Sequence, residues 1–332
     1  MKRIGFWLVV LCFLGSKSAL AQVLYPSSQH LGLQTATLEN IMLLQNLRDP
    51  QNDCIGKNYW ALGYGLGGVS RGDVDLTEDG SSEVLDSKFR DTLGGFLVGA
   101  DTNLGTTSRL GGFFAFNTAL QTSQPNEKVE TTNGFWGIYG KKDWANAYFL
   151  GTGAIGFTHT ATDFTANAFR SFVYGETGLN FRFGSIDFQP FWGLQYYYAG
   201  NGSSSGEMAD ETTQVSASPL KTNSLRNVLG ARLGVPVYVI ENQRLSLNCL
   251  GFWFHEFLND GDLGGGTMDF QPEGGQLVQY IIGQQKNGRD WGVVAPTLDW
   301  KRGNLHLWVG YIALFNESEV LHLGQGGFGF CW

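Results

Sequence analysis

The chain has 332 residues, with 22 basic and 30 acidic side chains, and only 16% of its residues are charged. That acidic balance, without a basic run, excludes nucleic acid as an expected partner. No segment after the N-terminus approaches the about 20 uninterrupted apolar residues that a membrane-crossing helix needs, so a helical membrane protein is excluded as well.

The N-terminus predicts export. Lys2 and Arg3 form a positive start, and residues 4–14 are apolar apart from Gly5 and Cys12. Ala19-Leu20-Ala21 supplies a small-x-small site, so residues 1–21 are expected to be a signal peptide cleaved before Gln22. Cleavage removes Lys2, Arg3 and Lys17, which leaves 19 basic residues against 30 acidic, a net charge of −11.

Residues 22–56 form a linker with one helical segment. Leu38, Ile41, Met42, Gln45 and Arg48 recur at helical spacing, and Asp49-Pro50 stops the run. The spacing predicts a helix over Thr35 to Arg48.

From residue 57 onward the chain reads as strands. Twelve are predicted, near 58–68, 88–100, 109–118, 132–141, 146–158, 170–183, 186–199, 224–235, 244–257, 290–300, 305–315 and 319–332. The seventh is the clearest. Ile186, Phe188, Pro190, Trp192, Leu194, Tyr196 and Tyr198 share one face, against Asp187, Gln189, Gly193 and Gln195 on the other. Phe191 and Tyr197 break that pattern. The ninth strand is mixed, because Asn248 and Glu256 share parity with Phe252 and Phe254.

Composition fits the pattern. The 47 glycines are about double the average share of roughly 7%, and they alternate with 10 Trp, 12 Tyr and 24 Phe. Longer connections follow odd-numbered strands (69–87, 200–223 and 258–289). Short turns follow even ones (143–145, 184–185 and 301–304), and the link after strand eleven is the exception. Outer-membrane barrels have long outer loops and short periplasmic turns. The expected fold is therefore all-β: a 12-stranded antiparallel transmembrane barrel with a short N-terminal helix in or near its lumen. A soluble secreted β-sandwich is the alternative architecture.

The motifs resemble the autotransporter β-domain family. Gly95-Phe96-Leu97-Val98-Gly99-Ala100-Asp101, followed by Arg109-Leu110-Gly111, is similar to that family's second and third strands. Trp253-Phe254-His255-Glu256-Phe257 is similar to its ninth-strand segment, Pro190 fits its seventh strand, and Phe328, Phe330 and Trp332 match its terminal strand. The resemblance covers residues 57–332. It implies a translocator in the bacterial outer membrane, used by the family to bring an N-terminal passenger to the cell surface. Residues 22–56 are too short for such a domain, which rarely falls below about 50 residues. The expectation is a passenger-less barrel acting as a surface-exposed structural protein or a small pore.

Specific residues follow. Phe328, Phe330 and Trp332 lie on one face of the last strand and are expected to be an assembly signal, bound by the barrel-assembly machinery through strand addition. Glu176, Arg182, Arg226 and Arg232 are expected to line the lumen. Cys54 precedes the first strand and Cys331 ends the last, so barrel closure predicts a disulfide between them with Cys249 free. His255 and Glu256 are adjacent in a strand and point to opposite faces, so they cannot form one catalytic pair. Glu78-Asp79 and Asp210-Glu211 read as solvated loop charge. An outer-membrane hydrolase is the rival function, but no motif groups a nucleophile with an oriented base. No enzyme activity, cofactor or metal is expected. The partners are outer-membrane lipid and the assembly machinery, and the protein is expected to be a monomer.

Overall fold

The computed structural model describes residues 33–43, 45 and 47, and then residues 56–332 apart from 79–80, 124–127, 162–164, 203, 208–212, 220, 259–261, 264–265, 273–277 and 287. The expected signal peptide and Cys54 lie outside the described residues.

Twelve strands build the wall: β1 (Lys57–Glu78), β2 (Ser81–Asn103), β3 (Ser108–Ser123), β4 (Lys128–Asp143), β5 (Ala147–Ala161), β6 (Thr165–Leu179, continued by Phe181–Phe183), β7 (Ile186–Asn201), β8 (Lys221–Ile240), β9 (Gln243–Glu256), β10 (Asp290–Arg302), β11 (Leu305–Phe315) and β12 (Glu319–Cys331). Each pairs antiparallel with the next, and β12 returns to β1, from Asn58↔Cys331 to Ser70↔Glu319. Reciprocal bonds between Lys57 and Trp332 (3.1 and 2.8 Å) extend the seam by one step. A closed sheet leaves no backbone edge facing lipid, which is what a membrane-spanning sheet requires.

The strand faces divide as a bilayer demands. Along β7, residues 187, 189, 191, 193, 195, 197 and 199 are buried, whereas Trp192, Leu194 and Tyr196 are exposed. The two exceptions to the predicted alternation, Phe191 and Tyr197, therefore point into the lumen. Strand β9 resolves in the same way: Phe252, Phe254 and Glu256 face inward, and Leu247 and Trp253 face outward. The outward belt includes Phe96, Trp136, Ile138, Phe157, Val173, Leu229, Val309 and Phe328, an apolar surface suited to lipid.

Five connections at one end are short (104–107, 144–146, 184–185, 241–242 and 303–304), and both ends of the barrel chain lie there. That end is periplasmic by the turn-length rule. At the opposite end the structure corrects the loop boundaries. Segment 69–87, expected as a loop, is mostly the upper part of the β1–β2 hairpin, which stays paired to Glu78↔Ser81. A transmembrane strand needs only about 9–11 residues, and β1 has 22, so the hairpin rises well past the bilayer. The long connections 200–223 and 258–289 also contain short strands: Ser204–Glu207, Thr213–Ala217, Gly266–Pro272 and Val278–Lys286. These pair in series and join β1 through Asp73↔Lys286 and Thr77↔Ile281. The wall is thereby extended outward as a sheet over part of its circumference.

The helix, here α1 (33–43, with 45 and 47 also helical), is already helical at Leu33, the first described residue and two positions before the predicted Thr35. The eleven continuous residues 33–43 alone span about 16 Å. A helix on a soluble protein keeps one face in water, but here Leu33, Gln34, Thr37, Leu38, Glu39, Asn40, Ile41 and Met42 are all buried. Its apolar residues join one cluster with Trp60, Tyr64, Phe113, Phe135, Phe172 and Phe254 of the wall. The helix fills the lumen.

Candidate functional site

The lumen is lined by polar groups that meet the helix from around the wall. Glu39 Oε1 accepts hydrogen bonds from Tyr64 Oη of β1 (2.5 Å) and Asn117 Nδ2 of β3 (2.7 Å). Thr37 Oγ1 accepts from Gln195 Nε2 of β7 and Arg226 Nη1 of β8, both at 3.1 Å, and donates to Leu33 O. Gln45 Oε1 accepts from Gln325 Nε2 of β12 at 2.6 Å. Five strands spread round the barrel thus hold one helix.

Behind these contacts stand buried networks. Arg226 Nε donates to Glu256 Oε2 at 3.1 Å, and the guanidinium lies 4.6 Å from the Phe254 ring centroid. Glu256 also accepts from Ser224 Oγ and from the backbone N–H groups of Leu225 (2.9 Å) and Leu258 (3.2 Å). Towards the periplasmic mouth, Asp101 accepts from Tyr139 Oη (2.8 Å) and Asn58 Nδ2 (3.1 Å) and pairs with Arg109 (3.2 Å), while Trp60 Nε1 donates to Tyr139. Glu176 accepts from Tyr148 and Tyr174. Arg232 donates to Gln189 and Asn248. Charges enclosed with this many donors are satisfied at low dielectric, where a lone charge would be costly.

Of the four residues expected to line the lumen, Glu176, Arg226 and Arg232 are buried within these networks. Arg182 is not enclosed with them. Its side chain is 64% exposed beside Asp187 (3.7 Å), because the ladder of β6 breaks at Asn180 and residues 181–183 are all exposed near the periplasmic turn. Phe328, Phe330 and Trp332 face outward at the periplasmic rim. Cys331 is disulfide-bonded and Cys249 is free; the expected partner Cys54 lies outside the described residues.

His255 and Glu256 do lie on opposite faces. His255 Nδ1 meets Asp290 Oδ1 at 2.9 Å outside the lumen, while Glu256 is buried inside it. Among the described residues no group of three or more His, Cys, Asp or Glu side chains is placed to hold a metal ion.

Sequence reading missed Glu39, Thr37, Tyr64, Asn117 and Arg170. A signal for the first was present: Glu39 is the one carboxylate in the Leu-rich run 31–48, and acidic side chains are rarely buried without a partner. The partners themselves stand 25 and 78 residues away, on β1 and β3.

A closed twelve-stranded wall with an apolar exterior and a helix held in its lumen defines an outer-membrane barrel of the translocator type. The chain belongs to the autotransporter beta-domain family, whose model matches residues 75–312. Its structure is similar to the translocator domain of the autotransporter NalP from Neisseria meningitidis, with TM-score 0.63 and 14% identity over 92% of this chain and 97% of that one. It is also similar to the beta domain of the Bordetella autotransporter BrkA (TM-score 0.58, 12% identity, 83% and 100% covered). The transport unit of AIDA-I from Escherichia coli gives TM-score 0.53 at 15% identity, with 89% and 97% covered. No curated protein sequence matches the chain. The barrel resides in the bacterial outer membrane.

Proposed function

We propose that this translocator barrel is a small pore closed by its own helix, without catalytic activity, and that the raised outer sheet is its surface-exposed element. The observation that carries this reading is the burial of α1 on every face and its hydrogen bonding to five strands. The separation of His255 from Glu256 by the wall supports a non-enzymatic role. Planar-bilayer recording tests the pore. The full chain should conduct weakly, and the chain lacking residues 33–47 should conduct several-fold more. An unchanged conductance on deletion would overturn the plug.

The same reading places the Cys331 disulfide at the barrel seam, with Cys54 as its partner. Peptide mapping of non-reduced protein should recover a Cys54–Cys331 linked pair and an alkylatable Cys249. A linked pair involving Cys249 would refute it.

A further inference from the structure

One charged group in the lumen lacks a hydrogen-bond partner among the described residues. Arg170 of β6 is 0% exposed, and among the described residues none of its three guanidinium nitrogens has a hydrogen-bond partner. A buried guanidinium in that state requires an anion or enclosed water. Glu39 is the carboxylate within its electrostatic reach, and the Oε2 of Glu39 is likewise unsatisfied. Its other oxygen, Oε1, is the atom that Tyr64 and Asn117 grip.

The grip is built into the wall rather than induced by the helix. Asn117 Oδ1 is occupied by Asn133 Nδ2 at 2.7 Å, and Asn133 Oδ1 in turn accepts from Thr158 Oγ1. That chain through β5, β4 and β3 fixes which end of the Asn117 amide faces the helix. Tyr64 is set by Gly95, its register partner on β2: a Cβ on Gly95 would lie 2.6 Å from Tyr64 Oη.

We propose that Tyr64, Asn117 and Arg170 form a carboxylate-binding site in the lumen wall, occupied here by Glu39. The site selects an acidic side chain at this height in whatever segment fills the lumen, and it takes a small free carboxylate when that side chain is absent. Two neutral donors grip one carboxylate oxygen and one cation stands within electrostatic reach, at a position closed to bulk water where charge-assisted bonds are strong. Truncating Glu39 to Ala removes a CH2–COO− unit, so acetate is the matching ligand.

The test is chemical rescue in the full-length chain. Glu39→Ala, refolded in detergent, should show a lowered urea midpoint, and acetate should restore most of the loss in a saturable manner. Acetamide, or chloride at equal ionic strength, should not. Adding Arg170→Gln should abolish the acetate response, and Glu39→Gln, which fills the space without charge, should be insensitive to acetate. If Glu39→Ala does not refold alone, acetate-dependent refolding yield becomes the readout. No response to acetate in either measurement, or an equal response to chloride, overturns the site. The proposal rests on the helix occupying the lumen, but its readout is stability. A helix deletion that left conductance unchanged would sink the plug alone, and a failed rescue would sink the site alone.

Discussion

Glu256→Ala should lower the stability of the folded barrel by about 3–5 kcal/mol, the usual cost of stranding one member of a buried ion pair. Both side chains are only 3% exposed. Truncation leaves the Arg226 guanidinium with Thr37, the Phe254 ring and the more distant buried Glu319 carboxylate, none of which replaces the direct ion pair. It also removes the acceptor for Ser224 Oγ and for the Leu225 and Leu258 N–H groups. Urea titration of the refolded protein, followed by heat-modifiable gel migration, measures the loss. Replacing both charges, as Arg226→Met with Glu256→Leu, should recover much of it, because an apolar pair of similar volume avoids desolvating two ions. Arg182→Ala is the contrast. Its side chain is 64% exposed and stands 3.7 Å from Asp187, and exposed pairs contribute about 0–1 kcal/mol. A loss at Arg182 as large as that at Glu256 would contradict this account.

The contrast also shows what period-2 reading can and cannot find. Strand count and outward faces were legible because lipid forces one side of every strand to be apolar, as Trp192, Leu194 and Tyr196 show. The ninth strand was ambiguous for a physical reason. Its inner face meets α1 and an aromatic cluster rather than water, so Phe252 and Phe254 are apolar on the side where a polar lumen was expected. Above the bilayer neither face must be apolar. The hydrophobic period therefore disappears over 69–87 although the hydrogen-bond ladder continues. The candidate site was less legible. Glu39 was visible as an odd carboxylate in an apolar helix, but Arg170 lies 131 positions further along, and only barrel closure brings it near.

Gly95→Val should be strongly destabilising on the β2 inner face, and Gly94→Val beside it should be close to neutral. The two glycines are adjacent in sequence and point to opposite sides. At Gly94 the nearest atom to an added Cβ is Tyr64 O, 4.0 Å away, and the position faces outward, where a valine side chain meets lipid. At Gly95 the added carbon lies 2.6 Å from Asn117 Cβ, Phe116 O and Tyr64 Oη. The first two belong to paired backbone and its root atom and cannot swing aside, so the tyrosine or the β2–β3 spacing must give. Overpacking costs about 1–3 kcal/mol. Displacing Tyr64 also takes a hydrogen bond from the buried Glu39 carboxylate, which adds about 1–3 kcal/mol. The same urea titration reads both variants, and the Gly95 variant should in addition loosen the helix, seen as a rise in bilayer conductance over the parent. A Gly95→Val barrel as stable as Gly94→Val would mean that Tyr64 reaches Glu39 by a route that does not cross this glycine. Glycine on the inner face of β2 is thus required beneath lumenal aromatic rings, Gly95 under Tyr64 and Gly99 under Trp60, and the first of these fixes the geometry that holds the helix.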